Sequence, residues 1–236
     1  MRGSPSGPTA GKPRMSPQPS CKSPADCPAV IPVFPLPGAL LLPRGQMPLN
    51  IFEPRYLAMV DDALRSERII GMIQPDADGA GSLLSPRLYR VGCAGRISQF
   101  AETGDGRYLI SLTGVSRFRV ENELSVTTAY RRCQVSYDAF AQDFEARAGE
   151  EAVDRESVLK TLRNFVDANE LQVDWAGIDE ASNEALVNAL CMMSPFGVRE
   201  KQAMLEAPDL KTRAEVLVAV TEMELVRASG SEPTLQ

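Results

Sequence analysis

The chain has 236 residues, 44% of them hydrophobic and 24% charged, with a formal net charge of −6 and no histidine. Those proportions are ordinary for a soluble globular chain with one large core or two small ones. The missing histidine excludes Ser-His and Cys-His nucleophiles and every His-containing metal site. No apolar run approaches the ~20 residues that span a bilayer, and no apolar stretch of a secretory signal follows Arg2, Lys12 and Arg14, so the expectation is a cytoplasmic protein without a membrane segment.

Fifteen of the first 28 residues are Pro, Ser or Gly, and Val and Leu are absent from them. Such a segment cannot bury enough apolar area to offset its chain entropy, which predicts a disordered tail over residues 1–29, with Met15 as a second candidate start. Five cysteines, an odd number, suit a reducing compartment. Cys21 and Cys27 are too widely spaced for a CxxC redox or zinc pair. Cys93, Cys133 and Cys191 fall at apolar positions, where a free thiol packs as a small hydrophobe.

From Val30 the pattern is that of strands. Val30–Phe34 is apolar between prolines, and Pro32 predicts an edge or a bulge. Leu40–Leu42 and Leu49–Phe52 flank a Pro/Gly connection. Pro54 suits the first turn of a helix running to Arg68, with Leu57, Val60 and Leu64 as its buried stripe. Ile69–Ile73 is a short strand, followed by a polar loop around Gly79 and Gly81. Val91, Cys93, Gly95 and Ile97 alternate with Arg90, Arg96 and Ser98. Asp105-Gly106 turns the chain, and Tyr108, Ile110 and Leu112 alternate on return. Phe118 and Val120 mark a further strand, and Cys133, Val135 and Tyr137 another. Arginine outward and aliphatic inward is the pattern of an antiparallel sheet or small barrel.

After about Phe140 the period becomes helical. Val158, Leu162, Phe165 and Val166 share a face, as do Leu186, Leu190 and Met193, then Met204 and Leu205, then Val216, Val220 and Met223. Pro195-Phe196-Gly197 and Pro208-Asp209 are the breaks, with Asp209 placed to cap the last helix. Glu150–Glu151 and Asp179–Glu180 read as acidic helix starts. Strands followed by helices predict an α+β fold: a mainly antiparallel β subdomain over 30–140, a helical bundle over 141–228 and a short disordered end over 229–236.

Three segments resemble the substrate-binding (N-terminal) domain of Lon-type ATP-dependent proteases, and in particular short bacterial-type proteins built around that domain alone. They are IPVFPLPGALLLPRGQMPLNIFEPRYLAM (Ile31–Met59), LYRVGCAGRISQF with DGRYLISLTGVSRFRV (Leu88–Val120), and EKQAMLEAPDLKTRAEVL (Glu200–Leu217). The likeness runs from Val30 to Arg227. It implies a PUA-like pseudo-barrel followed by helices, a role in selecting protein substrates, and no catalysis of its own. The ATPase and peptidase functions of such proteases need a P-loop and a Ser-Lys dyad. Here the single Gly-Lys pair, Gly11-Lys12, precedes a proline outside any P-loop pattern.

The expected partners are therefore unfolded or extended protein segments, with a Lon-type protease as a further one, and no cofactor or metal is expected. In PLNIFEPRY, Asn50, Glu53 and Arg55 with Phe52 are candidates to line a groove for backbone amides. The competing reading pairs Glu53 with an arginine, puts Asn50 in a turn and sends Ile51 and Phe52 into the core. In the Pro35–Gly45 loop, Leu36, Leu40 and Leu41 are candidates for an adhesive patch, against a reading in which two of the three leucines 40–42 form a core strand. Arg117, Arg119, Arg131 and Arg132 on one sheet face would allow RNA binding, which the absence of interleaved aromatics disfavours. Asp76 and Asp78 lack the spacing of a calcium loop. A scaffold that binds one folded partner or a small ligand is the alternative function.

Overall fold

The computed structural model of the chain describes residues 21–76 and 86–229. The remainder of the expected tails, and the loop with Asp78, Gly79 and Gly81, lie outside the described residues. Residues 21–29, expected to belong to the disordered tail, are placed. A 3-10 turn at Pro24–Asp26 is held by the Asp26 carboxylate, which accepts from the Ser23 hydroxyl at 2.8 Å and the Lys22 N–H at 3.3 Å. Half-buried Cys21 and Cys27 then rest on an apolar cluster of the sheet. Composition describes the segment in isolation and does not see the surface it lies on.

Six strands form one sheet: β1 (Val30–Pro35), β2 (Gln46–Ile51), β3 (Ile69–Ile73), β4 (Val91–Glu102), β5 (Tyr108–Glu123) and β6 (Arg132–Ser136). Their order is β2-β5-β4-β3-β1-β6, and a second pairing of β5 with β6 closes five of them into a barrel. Closure depends on the length of β5. Its residues 108–113 pair with β2, while Arg119–Glu123 pair with β6, so the two strands expected at Ile110 and Phe118 are one continuous strand of 16 residues. Phe118, Val120, Ile31, Val33, Cys133 and Val135 form one buried cluster inside this barrel.

β1 is not the edge strand that Pro32 suggested. Its first half pairs with β6 and its second half with β3. The Val33 N–H donates toward β6, to the Arg131 carbonyl at 2.9 Å. Backbone donors alternate in direction along a strand, so the donor that Pro32 lacks faces the other way, one residue before the β3 register begins at Val33↔Gly71. The β1–β3 pair is parallel, an exception in a mostly antiparallel sheet. Parallel neighbours need a crossover, supplied here by the 36–45 loop, β2 and helix α1 (Pro54–Arg65).

Glu53 precedes α1, and Pro54 occupies its first turn as expected. The buried stripe is Tyr56, Met59, Val60 and Ala63, with Leu57 and Leu64 at its margin, and the helix ends before Arg68, which adopts a positive φ of 57°. The helical half contains α2 (Arg155–Ala168), α3 (Trp175–Glu180), α4 (Asn183–Met193), α5 (Val198–Glu206) and α6 (Leu210–Ser229). Asp154, Asp174 and Ser182 cap α2, α3 and α4 through side-chain oxygens. Asp209 accepts from the Thr212 N–H at 2.7 Å, which with the Thr212 hydroxyl holds its carboxyl below the usual range. Asp179–Glu180 end α3 rather than start a helix. The buried line of α6 is Leu210, Arg213, Ala214, Leu217 and Thr221, one position off the expected stripe, and Met223 and Met193 are exposed. Apolar residues are common on both faces of these helices, so periodicity alone misses the face that packs.

One apolar cluster runs from Leu40, Leu41, Met59 and Leu112 to Leu186, Met204, Leu205 and Leu217, so sheet and helices share a core. Their polar fastener is Arg117, expected to face outward and found 1% exposed. Its Nε and Nη2 donate to the two oxygens of Asp143, each at 2.9 Å, and its backbone N–H donates to the same carboxylate at 2.9 Å. Nη1 donates to the carbonyls of Leu205 (3.1 Å) and Ala207, and Nη2 to that of Pro208. The guanidinium lies 4.6 Å over the Phe140 ring. One side chain thus joins β5, the 3-10 turn Asp138–Phe144 and the α5–α6 junction. Gly114 makes a second close junction, since a Cβ there would stand 2.0 Å from the Leu42 carbonyl oxygen.

Two outcomes follow for denaturant unfolding. Asp143→Ala leaves a buried guanidinium uncompensated and should cost about 3–5 kcal/mol, whereas the pair Arg117→Met with Asp143→Leu should cost less than the single change. Gly114→Ala drives a methyl into backbone and should lower stability by roughly 1–3 kcal/mol. A loss below the noise of the measurement in either case would contradict the packing described.

Candidate functional site

Beyond the barrel, β2, the first half of β5 and the second half of β4 continue as a three-stranded arm. The Gly114 N–H donates to the Gly45 carbonyl and the Arg44 N–H to that of Gly114, each at 2.8 Å, so even-numbered residues of β5 face β2. Met47, Leu49 and Ile51, opposite Leu112, Ile110 and Tyr108, therefore make the ladder bonds. Gln46, Pro48 and Asn50 turn their backbone groups outward, along the free edge of β2. Pro48 lacks the donor on that edge, a common way to blunt an open strand. Two outward N–H groups remain, those of Gln46 and Asn50, beside three outward carbonyls.

The face of the arm carrying these residues is a shallow open groove of ≈ 800 Å³ lined by Gln46, Pro48, Asn50, Gln99, Leu109 and Ser111 among others. Leu109 stands 47% exposed on this face and Phe52 61% exposed beyond the end of β2, while Phe100, 43% exposed and paired with Ile110, projects from the opposite face of the arm. Phe100 meets the Tyr108 ring edge-on at 5.0 Å, and the Arg107 guanidinium lies 6.0 Å from the Phe52 centroid. The Tyr108 hydroxyl donates to Asp61 at 3.1 Å, and that carboxylate pushes the phenol up. A second recess, ≈ 470 Å³, lies between the start of β2 and α4, lined by Arg44, Glu184, Asn188, Met192 and Met193. Gln46 lines both, so they adjoin. Met193, expected in the core, is 82% exposed at this recess.

The structure separates the seven candidate residues into two groups. Asn50, Phe52, Glu53 and Arg55 gather at the far end of β2. Glu53 pairs with Arg55 at 2.8 Å, and Arg55 lies 4.5 Å over the Tyr56 ring. Ile51 enters the core at 2% exposure, but Phe52 does not, and Asn50 sits in the strand rather than in a turn. Leu36, Leu40 and Leu41 belong to the sheet–helix junction. Leucines 40–42 are at most 1% exposed, which removes Leu40 and Leu41 from any adhesive patch. They occupy a loop outside the strands, so the competing reading holds for their place in the core and is corrected for the strand. That loop is held by the Lys201 ammonium on the Gly38 carbonyl at 2.9 Å and by the Gly38 N–H on Gln74 at 3.0 Å. Leu36 is half-buried against the same core.

Sequence reasoning missed Phe100, Leu109 and Met193, whose exposure depends on which elements stop short of covering them. Pro48 between apolar residues was a legible sign of an edge strand. The four arginines proposed for RNA do not share an exposed face: Arg117 is internal and Arg131 is paired with Glu123 at 2.6 Å. Asp76 lies 3.9 Å from Arg87. Among the described residues no group of three or more Cys, Asp or Glu is arranged to hold a metal ion, and no helix is long and apolar enough to cross a membrane.

A closed barrel with an open-edged arm, packed on a helical half through a common core, defines an α+β module. Residues 30–221 match the family model of the ATP-dependent protease La (LON) substrate-binding domain, and the chain belongs to that family. It is 30% identical over 206 residues to Lon protease 2 of Sorangium cellulosum, an alignment covering 83% of this chain and 25% of that protein. Against Lon protease 2 of Myxococcus xanthus the identity is 27%, over 82% of this chain and 23% of the other. The chain thus spans about a quarter of the length of these relatives. Its fold is similar to a Lon N-terminal domain protein from Xanthomonas campestris (TM-score 0.57, 23% identity, covering 80% of this chain and 97% of that one). It is also similar to the N-terminal domain of a Mycobacterium avium complex Lon protease (TM-score 0.61, 22% identity, 82% and 98% covered).

Truncating the two kinds of leucine and phenylalanine separates surface from core. Leu41→Ala should cost about 2–5 kcal/mol in chemical denaturation, while Phe52→Ala should stay within roughly 0.5 kcal/mol of the parent.

Proposed function

We propose that this chain is a non-catalytic module that holds unfolded or extended protein segments, which add as a strand along the free edge of β2. The observation that carries this reading is the open edge itself, flanked by exposed Phe52 and Leu109. Main-chain hydrogen bonds at Gln46 and Asn50 would supply sequence-tolerant affinity, and the apolar side chains would favour segments that are buried in folded proteins. The adjoining recess at Met193 offers a flexible thioether for the side chains of a longer segment. Glu53 and Arg55, already paired with each other, frame the end of the track rather than fix a charged ligand. A Lon-type protease in the same cytoplasm is the partner to which such segments would be passed.

The decisive experiment is calorimetric titration with a reduced, alkylated and permanently unfolded protein. Binding should fall on the order of 10 μM, the weak range of segments that become ordered only on the complex. Phe52→Ser with Leu109→Ser should weaken it roughly tenfold, by removing two partly buried apolar contacts. Asn50→Pro deletes one of the two outward donors at a position where an edge strand tolerates proline, and should weaken binding severalfold while leaving unfolding unchanged. Absence of binding, or affinity indifferent to these changes, would refute the reading. Turnover of ATP or cleavage of casein by the pure chain would refute its non-catalytic part.

A further inference from the structure

Packed against the buried cluster of the barrel is a pair of thiols that the client surface does not use. The 3-10 turn Pro24–Asp26 closes with the Asp26 N–H on the Ser23 carbonyl at 3.1 Å and the Cys27 N–H on the Pro24 carbonyl at 3.3 Å. This fold of the chain returns Cys27 to the neighbourhood of Cys21, six residues earlier in sequence: the Cys21 Sγ lies 3.7 Å from the carbonyl oxygen of Asp26, the residue before Cys27, and both thiols pack against the same apolar cluster. Both are partly exposed, whereas Cys93, Cys133 and Cys191 are buried. Arg96 of β4 reaches the Cys21 sulfur with Nη2 at 3.5 Å, and its Nη1 is fixed on the Glu67 carbonyl at 3.1 Å. A cation locked beside one of two adjacent, accessible thiols is the arrangement of a thiol–disulfide exchange pair.

We propose that Cys21 and Cys27 form a redox-active dithiol, with Cys21 as the attacking thiol and Cys27 as the resolving one, whose co-reactant is a small disulfide. The Cys21 thiolate attacks one sulfur of R–S–S–R, and the expelled thiolate takes a proton to leave as RSH. Cys27 then gives up its proton and attacks the Cys21 sulfur of the mixed disulfide, expelling the second RSH. The two cysteines are oxidised to a disulfide and R–S–S–R is reduced to two thiols, which carry away the two protons. The charges around the pair fit these roles. The Cys27 S–H donated to Cys21, followed by Arg96, brings Cys21 down to about 7 against burial and the opposing Glu67 carboxylate. Cys27 is pushed up by the same hydrogen bond, by burial and by the neighbouring thiolate, with Asp26 adding to it. Tyr137, the other ionisable group beside the pair, is pushed up by burial and stays neutral, its hydroxyl on the Pro28 carbonyl at 3.3 Å. Once Cys21 is capped as a mixed disulfide its negative charge is gone, and Cys27 becomes free to ionise and close the bond.

The test uses the full chain and glutathione disulfide. Intact mass after incubation should show loss of two hydrogens, mapped by digestion to one peptide bond-linked at Cys21 and Cys27. Cys27→Ser should instead accumulate a glutathione adduct on Cys21, and Cys21→Ser should react much more slowly. In the reduced parent, alkylation of Cys21 should rise with pH to a midpoint at about 7, and Arg96→Gln should slow it about fivefold at neutral pH by withdrawing the cation that favours the thiolate. Adducts on either cysteine without closure of the internal disulfide would overturn the proposal. So would a Cys21 midpoint at the ~8.5 of an ordinary thiol.

Discussion

The bidentate pair between Arg117 and Asp143 is the interaction on which the architecture turns. A buried ion pair is a weak source of net stability, because desolvating two charges offsets most of their attraction. What this pair supplies is position. The guanidinium has five donors in a fixed plane, and it places them on a carboxylate and on the carbonyls that end α5. Three elements far apart in sequence therefore meet in one register, and a slip of any of them would strand a charge in the core. Arg213, nine residues after the buried Met204 of α5, repeats the device without a carboxylate, donating to the Met204 carbonyl and to Asn188 while burial lowers it to about 10.

The local elements of this fold were legible and its outward faces were not. Ile69–Ile73, the proline that opens α1, the Asp105-Gly106 turn and the Asp209 cap all depend on neighbours within a few residues, and the chain itself displays them. Arg117 shows the limit. Alternation with Phe118 placed it in solvent, because the carboxylate that receives it comes from residue 143 and the carbonyls from residues 205–208. Leu40–Leu42 carry the same lesson in reverse: a Pro/Gly-rich loop looks exposed until the surface that covers it is known. Met193 and Met223 share apolar stripes with residues that pack on the core, yet their own side chains stand exposed. The PLNIFEPRY segment stands out in the chain by its composition, but the uncovered strand edge beside it belongs to the order of the sheet.

That order also explains why the arm is open. The barrel consumes both edges of its five strands by joining β5 to β6, and only the overhanging half of β5 is left to recruit β2. Among the described residues, no further strand pairs with β2 beyond β5. Closure of one part of the sheet and availability of the other are consequences of the same long strand. The single proline on the free edge limits indiscriminate pairing between copies while leaving donors at Gln46 and Asn50. On the function proposed above, this edge would recognise main chain more than side chains, in keeping with a family named for substrate binding.

The splitting of β1 between two neighbours has a bearing on biosynthesis. Val30 and Ile31 find their backbone partners at Gln134 and Cys133, about a hundred residues later. While the nascent chain emerges from the ribosome, the hairpin of β4 and β5 can form at once, but the first half of β1 must wait until β6 has cleared the exit tunnel. During that interval Ile31, destined for the barrel interior, lacks its β6 neighbour and is a residue that a chaperone could shelter.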